Sequence, residues 1–189
     1  MNKKILLVHR AHRFSPNCVE RDAAVLSAIQ QALEARDFLV QHIDEDAITD
    51  EFLQTAPPLI ISMARSKTVL RQLALYEQQG GRIIWNSPNA LLANTRSEQV
   101  KRFLTSEIPS PPTEIIANPH ATTLQFPLWV KSGGGDAEQE TDVRYFATHA
   151  ELLLADFPSA TPYVVSEHVA GDLVKFYGVA GTPFFYVYS

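Results

Sequence analysis

Pro127 to Val143 reads PLWVKSGGGDAEQETDV, and the reading of this stretch decides what the second half of the chain is. Its apolar start, Leu128 to Val130, has the look of a strand that delivers Lys131 at its end. Three consecutive glycines, Gly133, Gly134 and Gly135, follow after Ser132. Glycine has no side chain to hold an anion away, so its backbone N–H can approach a phosphate, and a lysine alongside supplies positive charge. The same glycines also suit a plain flexible turn. No Gly-Lys-Ser/Thr follows, so the loop is not a Walker A motif.

Toward the C-terminus, Val164 to Val179 reads VVSEHVAGDLVKFYGV. A strand ends at Glu167, a linker passes Gly171 and Asp172, and a new strand begins near Lys175. Two acids and a lysine flanking an extended linker can meet the base, ribose and phosphate of a nucleotide; ordinary hairpin residues are the alternative. Leu173–Val179 and Phe184–Tyr188 form an antiparallel pair across a turn with Gly181 and Pro183. Toward the N-terminus, the prolines of Ile108–Pro112 (IPSPP) remove donors and force extended backbone. Strand-like runs are Thr113–Ala117, Leu128–Lys131 and Tyr163–Glu167, with a helix around Ala150–Phe157. Asn94–Ser106 is a helix expected to turn Val100, Phe103 and Leu104 inward. Its Arg96, Lys101 and Arg102 make a basic start, a pattern that solvated helix faces also show. This half is α+β.

The first ninety residues differ. Short apolar runs at Lys4–Val8, Phe38–Ile43, Leu59–Met63 and Arg82–Trp85 alternate with helical stripes. The stripes are Val25, Leu26, Ile29 and Leu33, then Val69, Leu73 and Tyr76. Such alternation predicts a mainly parallel α/β sheet. A boundary near Pro88–Asn94 divides the chain into a front part, residues 1–90, and a second part, residues 91–189.

Composition bounds the rest. The 189 residues are 46% hydrophobic and 20% charged, a globular balance, with formal net charge -5. That sign disfavours nucleic acid or an anionic membrane as partner, since both require a positive field. The single cysteine, Cys18, forms no internal disulfide and no cysteine zinc cluster. Apolar runs are too short for a signal peptide or for the ~20 residues of a membrane span, so a cytoplasmic protein is expected.

Taken in order, Asn86-Ser87-Pro88, Ile108 to Thr113 (IPSPPT), Lys131 with Gly133 to Gly135, and Glu167 to Lys175 resemble the ATP-grasp superfamily. The resemblance covers nearly the whole chain and implies a Rossmann-like pre-ATP-grasp domain followed by part of the ATP-grasp domain. It implies that Lys131 contacts the α-phosphate and the adenine edge, and that Gly133 to Gly135 fold over the β- and γ-phosphates. Glu167 and the backbone at His168 and Val169 would hold adenine, Asp172 the ribose, and Lys175 the phosphates or the substrate. Arg96 stands where the family often has a lysine at the start of the entry helix. The resemblance further implies an ATP-dependent carboxylate–amine or carboxylate–thiol ligase, with ATP and a small carboxylate as ligands. His9, Arg10, His12 and Arg13 are basic candidates for holding that carboxylate; a solvated loop is the alternative. The family's Mg2+ ligands lie in a later part, and nothing after Lys175 is Asp, Glu or Asn. Mg2+ is therefore expected only with a further C-terminal half. The expectation is a truncated chain, inactive alone, with an apolar strand Phe184–Tyr188 left uncovered or covered by a homo-oligomer. Other readings are a non-catalytic nucleotide-binding or degenerate scaffold module, and an ATP-grasp small-molecule kinase. A flavodoxin-like or receiver-like front half, prompted by Asp44, Glu45 and Asp46, lacks the acids a receiver needs after its first strand.

Overall fold

Ile5, Leu6, Leu7 and Val8 are all buried, with at most 1% of their surface left to solvent, so the strand they form must be covered on both faces. The computed structural model describes residues 3–14, 18–80, 83–134, 142–158 and 162–189. In it, this strand, β1 (Lys4–His9), lies inside a four-stranded parallel sheet with β2 (Leu39–Asp44), β3 (Leu59–Ser62) and β4 (Ile83–Trp85), in the order β2-β1-β3-β4. Leu7 faces His42 on one side and Ile61 on the other.

Alternate residues of β1 feed two cores. Ile5 and Leu7 meet Leu26, Ile29 and Leu33 of α1 (Val19–Glu34). Leu6 and Val8 meet Val69, Leu70, Leu73 and Tyr76 of α3 (Lys67–Gly80), together with Leu53 of α2 (Asp50–Thr55). Each such burial contributes about 1.5–3 kcal/mol for a large aliphatic side chain. The α1 stripe departs from expectation at one place. Val25 is 46% exposed, because a face carrying Leu26, Ile29 and Leu33 leaves position 25 one step of about 100° off the seam. Thr49 caps α2 by accepting the Phe52 N–H at 3.1 Å, as its residue type suggests.

The Asn-Ser-Pro segment has a local reason for each residue. Asn86 has φ +65°, a conformation in which asparagine is among the best tolerated non-glycine residues, and its side-chain amide donates to the Ser62 carbonyl at 2.6 Å. Ser87 caps α4 (Pro88–Ala93), with Pro88 in the first turn where no N–H is needed.

The second sheet is antiparallel, in the order β5-β8-β6-β7, from β5 (Thr113–Ile116), β6 (Leu128–Ser132), β7 (Val143–Phe146) and β8 (Tyr163–Glu167). One face carries Leu128, Val130, Phe146, Tyr163 and Val165, which close a core with Leu152 of α6 (His149–Leu153). The other face carries Trp129, Lys131, Tyr145, Val164 and Ser166, as the pairings Lys131↔Val164 and Trp129↔Ser166 require. Helix α5 (Arg96–Leu104) packs beside β8 on this side. β7 went unseen in the sequence, because Val143, Arg144 and Tyr145 follow an acidic, glycine-rich run and its core face carries one apolar residue, Phe146, beside Arg144. A two-stranded antiparallel ribbon, β9 (Lys175–Gly178) and β10 (Phe185–Tyr188), completes the described chain. The architecture is an α/β parallel sheet followed by an α+β antiparallel sheet, as the sequence predicts.

Candidate functional site

Among the described residues, three hollows bear on function. The largest, about 430 Å³, lies between α2 and α3, and its single carboxylate, Asp50, already accepts from Gln72 at 3.1 Å. The second, about 380 Å³, lies at the carboxyl ends of β1 and β2 and is lined by His9, Arg10, His12, Asp22, Asp44 and Asp46. Here three of the four side chains expected to hold a carboxylate, His9, Arg10 and Arg13, have partners within the chain. Arg10 pairs with Asp22 at 3.4 Å, Arg13 grips Asp46 through two contacts of 2.6 and 2.7 Å, and His9 Nε2 shares a 2.8 Å hydrogen bond with His42 Nδ1. A ligand carboxylate at this place competes with Asp22 and Asp46.

The third hollow, about 290 Å³, has the opposite character. It lies between α5 and the open face of the second sheet. Val100, Phe103, Leu104, Pro111 and Val164 wall it, and Thr113, Ser110 and Ser166 supply hydroxyls. Phe103 and Leu104 thus leave the core, where they were expected, and stand 45% and 51% exposed beside this pocket. Into it project Arg96 and the half-buried Lys131. Among the described residues no acid and no acceptor engages the Lys131 ammonium. Burial holds its pKa below the usual lysine range, and the neighbouring Arg96 guanidinium pushes it the same way. A partly dry ammonium that no described acid engages, with a guanidinium beside it, makes this pocket a candidate for an anionic ligand.

Local structure fixes this pair. Thr95 caps α5, accepting the Glu98 N–H at 3.3 Å in a Thr-x-x-Glu pattern. Arg96, at the first helical position, donates to the Ser132 carbonyl. The Ser97 N–H donates to the Gly133 carbonyl at 3.1 Å, and the Gly133 N–H donates to the Pro162 carbonyl at 2.8 Å. The end of β6 is thereby pinned to both α5 and the start of β8. Gly133 is buried and its N–H is already used, so its place in the structure is one of close packing. Gly134 is half-buried beside it, and Gly135 lies outside the described residues. The Ser97 hydroxyl, in a residue only 9% exposed, has no hydrogen-bond partner among the described residues.

The remaining candidates stand apart from the pocket. Glu167 pairs with Leu128 on the core face of the sheet, and its carboxylate accepts the Gln125 N–H at 2.9 Å. The Glu167 N–H donates to the Pro112 carbonyl, and the His168 N–H to the Pro127 carbonyl. Val169, Asp172 and Lys175 are exposed in the segment that follows. The structure therefore brings Lys131 and Arg96 together, and sends the Glu167 carboxylate to the opposite face. One group went unforeseen. The Trp129 indole N–H donates to His168 Nδ1 at 3.1 Å, and Tyr145 meets both rings, 5.1 Å from Trp129 and 5.4 Å from His168 between centroids. With Nδ1 accepting, neutral His168 carries its proton on Nε2. The signal was the alternation Trp129-x-Lys131, which puts both on one face.

Among the described residues, no group of three or more His, Cys, Asp or Glu is arranged to hold a metal ion, and no helix is long and apolar enough to cross a membrane. No protein-family profile and no curated protein matches the sequence. Solved structures do match in fold. D-alanyl-alanine synthetase A from Vibrio cholerae O1 biovar eltor str. N16961 superposes with TM-score 0.66 at 13% identity, over 99% of this chain and 66% of its own. An ATP-grasp RimK domain protein from Sphaerobacter thermophilus DSM 20745 gives TM-score 0.59 at 16% identity, over 89% and 65%. The ATP-grasp ligase PsnB, solved with a phosphomimetic variant of its minimal precursor, Mg and ADP, gives 0.53 at 16% identity, over 91% and 67%. The chain spans about two thirds of the length of each. Its parallel sheet, its antiparallel sheet and their order in the chain are those of the ATP-grasp fold.

Proposed function

We propose that this chain is the ATP-binding part of a ligase of the ATP-grasp type, with the nucleotide phosphates held by Lys131 and Arg96. The observation that carries the reading is the half-buried Lys131 ammonium, which no acid among the described residues engages, next to a second cation and facing an apolar pocket. A nucleotide matches this chemistry: the phosphates neutralise the pair and the base occupies apolar wall. Residues 1–90 would form the pre-ATP-grasp domain and 91–189 the nucleotide-binding one. A carboxylate and an amine or thiol would be the other reactants. The described residues do not fit a magnesium ion, so no step of phosphoryl transfer is assigned to them. The same observation favours a second reading, a nucleotide-binding module without turnover.

Calorimetry with a non-hydrolysable ATP analogue tests the site. Weak binding is expected, and Lys131→Ala should weaken it by about 1.5–3 kcal/mol, the loss of a charge-assisted contact. Equal affinity in the variant removes Lys131 from the site. Hydrolysis of ATP by the chain alone would exclude the module reading.

The lysine also predicts a pH dependence. Its folded pKa lies below the unfolded value, so the unfolded state binds more protons between the two, and stability rises with pH across that window. A bound polyphosphate favours the ammonium and raises the pKa again. Binding should therefore take up a proton when the pH exceeds the depressed value, and affinity should fall as pH climbs through it. NMR of reductively methylated lysines should show Lys131 titrating below the usual lysine range and moving upward on nucleotide addition. A resonance unmoved by nucleotide contradicts the contact.

A further inference from the structure

The other lysines of the chain, Lys3, Lys4, Lys67, Lys101 and Lys175, stand exposed to water. Two of them also pair with carboxylates, Lys3 with Asp37 at 3.4 Å and Lys101 with Glu98 at 2.6 Å. Water and an acid both favour the ammonium, which has no lone pair to attack with. Near neutral pH about one in a thousand such side chains is uncharged. Lys131 is placed differently. Its amine is half-buried in the pocket walled by Val100, Phe103 and Val164, the Arg96 guanidinium lines the same pocket, and no acid among the described residues engages it. Burial strips water from the ammonium and the guanidinium repels it, so both favour the neutral, nucleophilic amine. The hollow of about 290 Å³ in front of it gives a small reagent room to approach.

We propose that Lys131 is a covalent modification site, acylated at Nζ by small acyl phosphates. The neutral amine attacks the acyl carbon and the C–N bond forms. The bond from the acyl carbon to the bridging oxygen breaks, and phosphate leaves with that electron pair and takes up the amine proton. The products are a lysine amide and hydrogen phosphate, and no oxidant or reductant is consumed. The pocket matches both ends of the reagent. Its apolar wall suits the acyl group, and the hydroxyls of Ser110, Thr113 and Ser166 with the Arg96 guanidinium suit the phosphate. The amide carries no charge, so acylation removes the lysine cation from the pocket. The inference needs no nucleotide and stands apart from the ligase reading.

Acetyl phosphate is the probe. The full chain, free of nucleotide, is incubated with it near neutral pH, and acetylation of each lysine is followed by peptide mass spectrometry. Lys131 should react about fivefold faster or more than Lys4, Lys67 and Lys175. Its rate should level off at a lower pH than theirs, since the rate follows the neutral fraction. Lys131→Arg should remove the first acetyl group that the intact mass of the parent acquires. In concentrated urea the preference should vanish, because the pocket no longer exists. A Lys131 rate no greater than that of the exposed lysines overturns the proposal. So does a preference that survives unfolding, which would place its cause in the local sequence and not in the pocket.

Discussion

Glu45→Ala should lower the stability of the chain by about 3–5 kcal/mol, the range for stranding the partners of a buried charge. Glu45 follows β2 and has no solvent exposure. Its carboxylate accepts three backbone N–H groups: Ala11 at 2.5 Å, and Arg65 and Ser66 each at 2.9 Å. Ala11 belongs to the loop after β1, and Arg65 and Ser66 to the loop after β3. One side chain thus ties the three carboxyl-end loops where β1 and β3 diverge, the crevice in which open parallel sheets usually bind ligands. Ser66 directly precedes α3, so the carboxylate also lies at the positive end of that helix. Removing it leaves N–H groups without acceptors, at about 1–3 kcal/mol each where water cannot reach. For a chain of this size the fall in Tm should be about 10–15 °C. Glu45→Gln keeps the shape but loses the charge, and should cost roughly half as much. Hydrogen exchange should accelerate at Ala11, Arg65 and Ser66 before the core strands respond. A variant that melts within about 2 °C of the parent would show that water replaces the carboxylate without cost.

Nothing in the sequence marks Glu45. It stands between two acids in what looks like a solvated loop, and its neighbours Asp44 and Asp46 are indeed exposed. What separates them is long-range: a loop 34 positions earlier and another about 20 later converge on one carboxylate. Strands β1 to β4 were legible as short, mostly apolar runs between helical stripes, although only β1 is buried on both faces and the edge strand β2 is largely exposed. The stripe on α1 was misjudged at Val25 because apolar residues at consecutive positions 25 and 26 leave the seam ambiguous until the sheet chooses one. Lys131 and Arg96 were legible as residue types near glycines and at a helix start. That they share a pocket was not, since it depends on the β6–β8 register and on the pinning of Ser132 and Gly133. The placement of Glu167 shows the same limit in reverse. Strand parity relative to Lys131 is set by pairing, and pairing put the carboxylate on the core face.

Gly133→Ala is the substitution expected to damage the candidate site most. A Cβ built there lies 2.2 Å from the Ser97 hydroxyl and 2.3 Å from the Pro162 carbonyl oxygen, both far inside van der Waals contact. Ser97 could rotate within its buried surroundings, but Pro162 offers a backbone atom that also accepts the Gly133 N–H at 2.8 Å. Relief therefore requires the end of β6 to withdraw from α5 and from the start of β8. Overpacking of this kind costs about 1–3 kcal/mol, and more where backbone must move. The same movement breaks the Ser97–Gly133 bond and shifts the Ser132 carbonyl that holds Arg96, so the two cations lose their common aim. Nucleotide affinity should fall by at least about 10-fold even where the protein remains folded, since a displacement of about 1 Å is enough to misplace charged contacts. Gly178→Ala is the control: its nearest neighbours, at 3.7 Å, are at ordinary contact distance, and the change should stay within about 0.5 kcal/mol. Thermal melting and analogue titration of the two variants decide the matter. If Gly133→Ala binds the analogue as tightly as the parent, the loop is not what aligns Arg96 with Lys131, and the phosphates are held by something other than this pair.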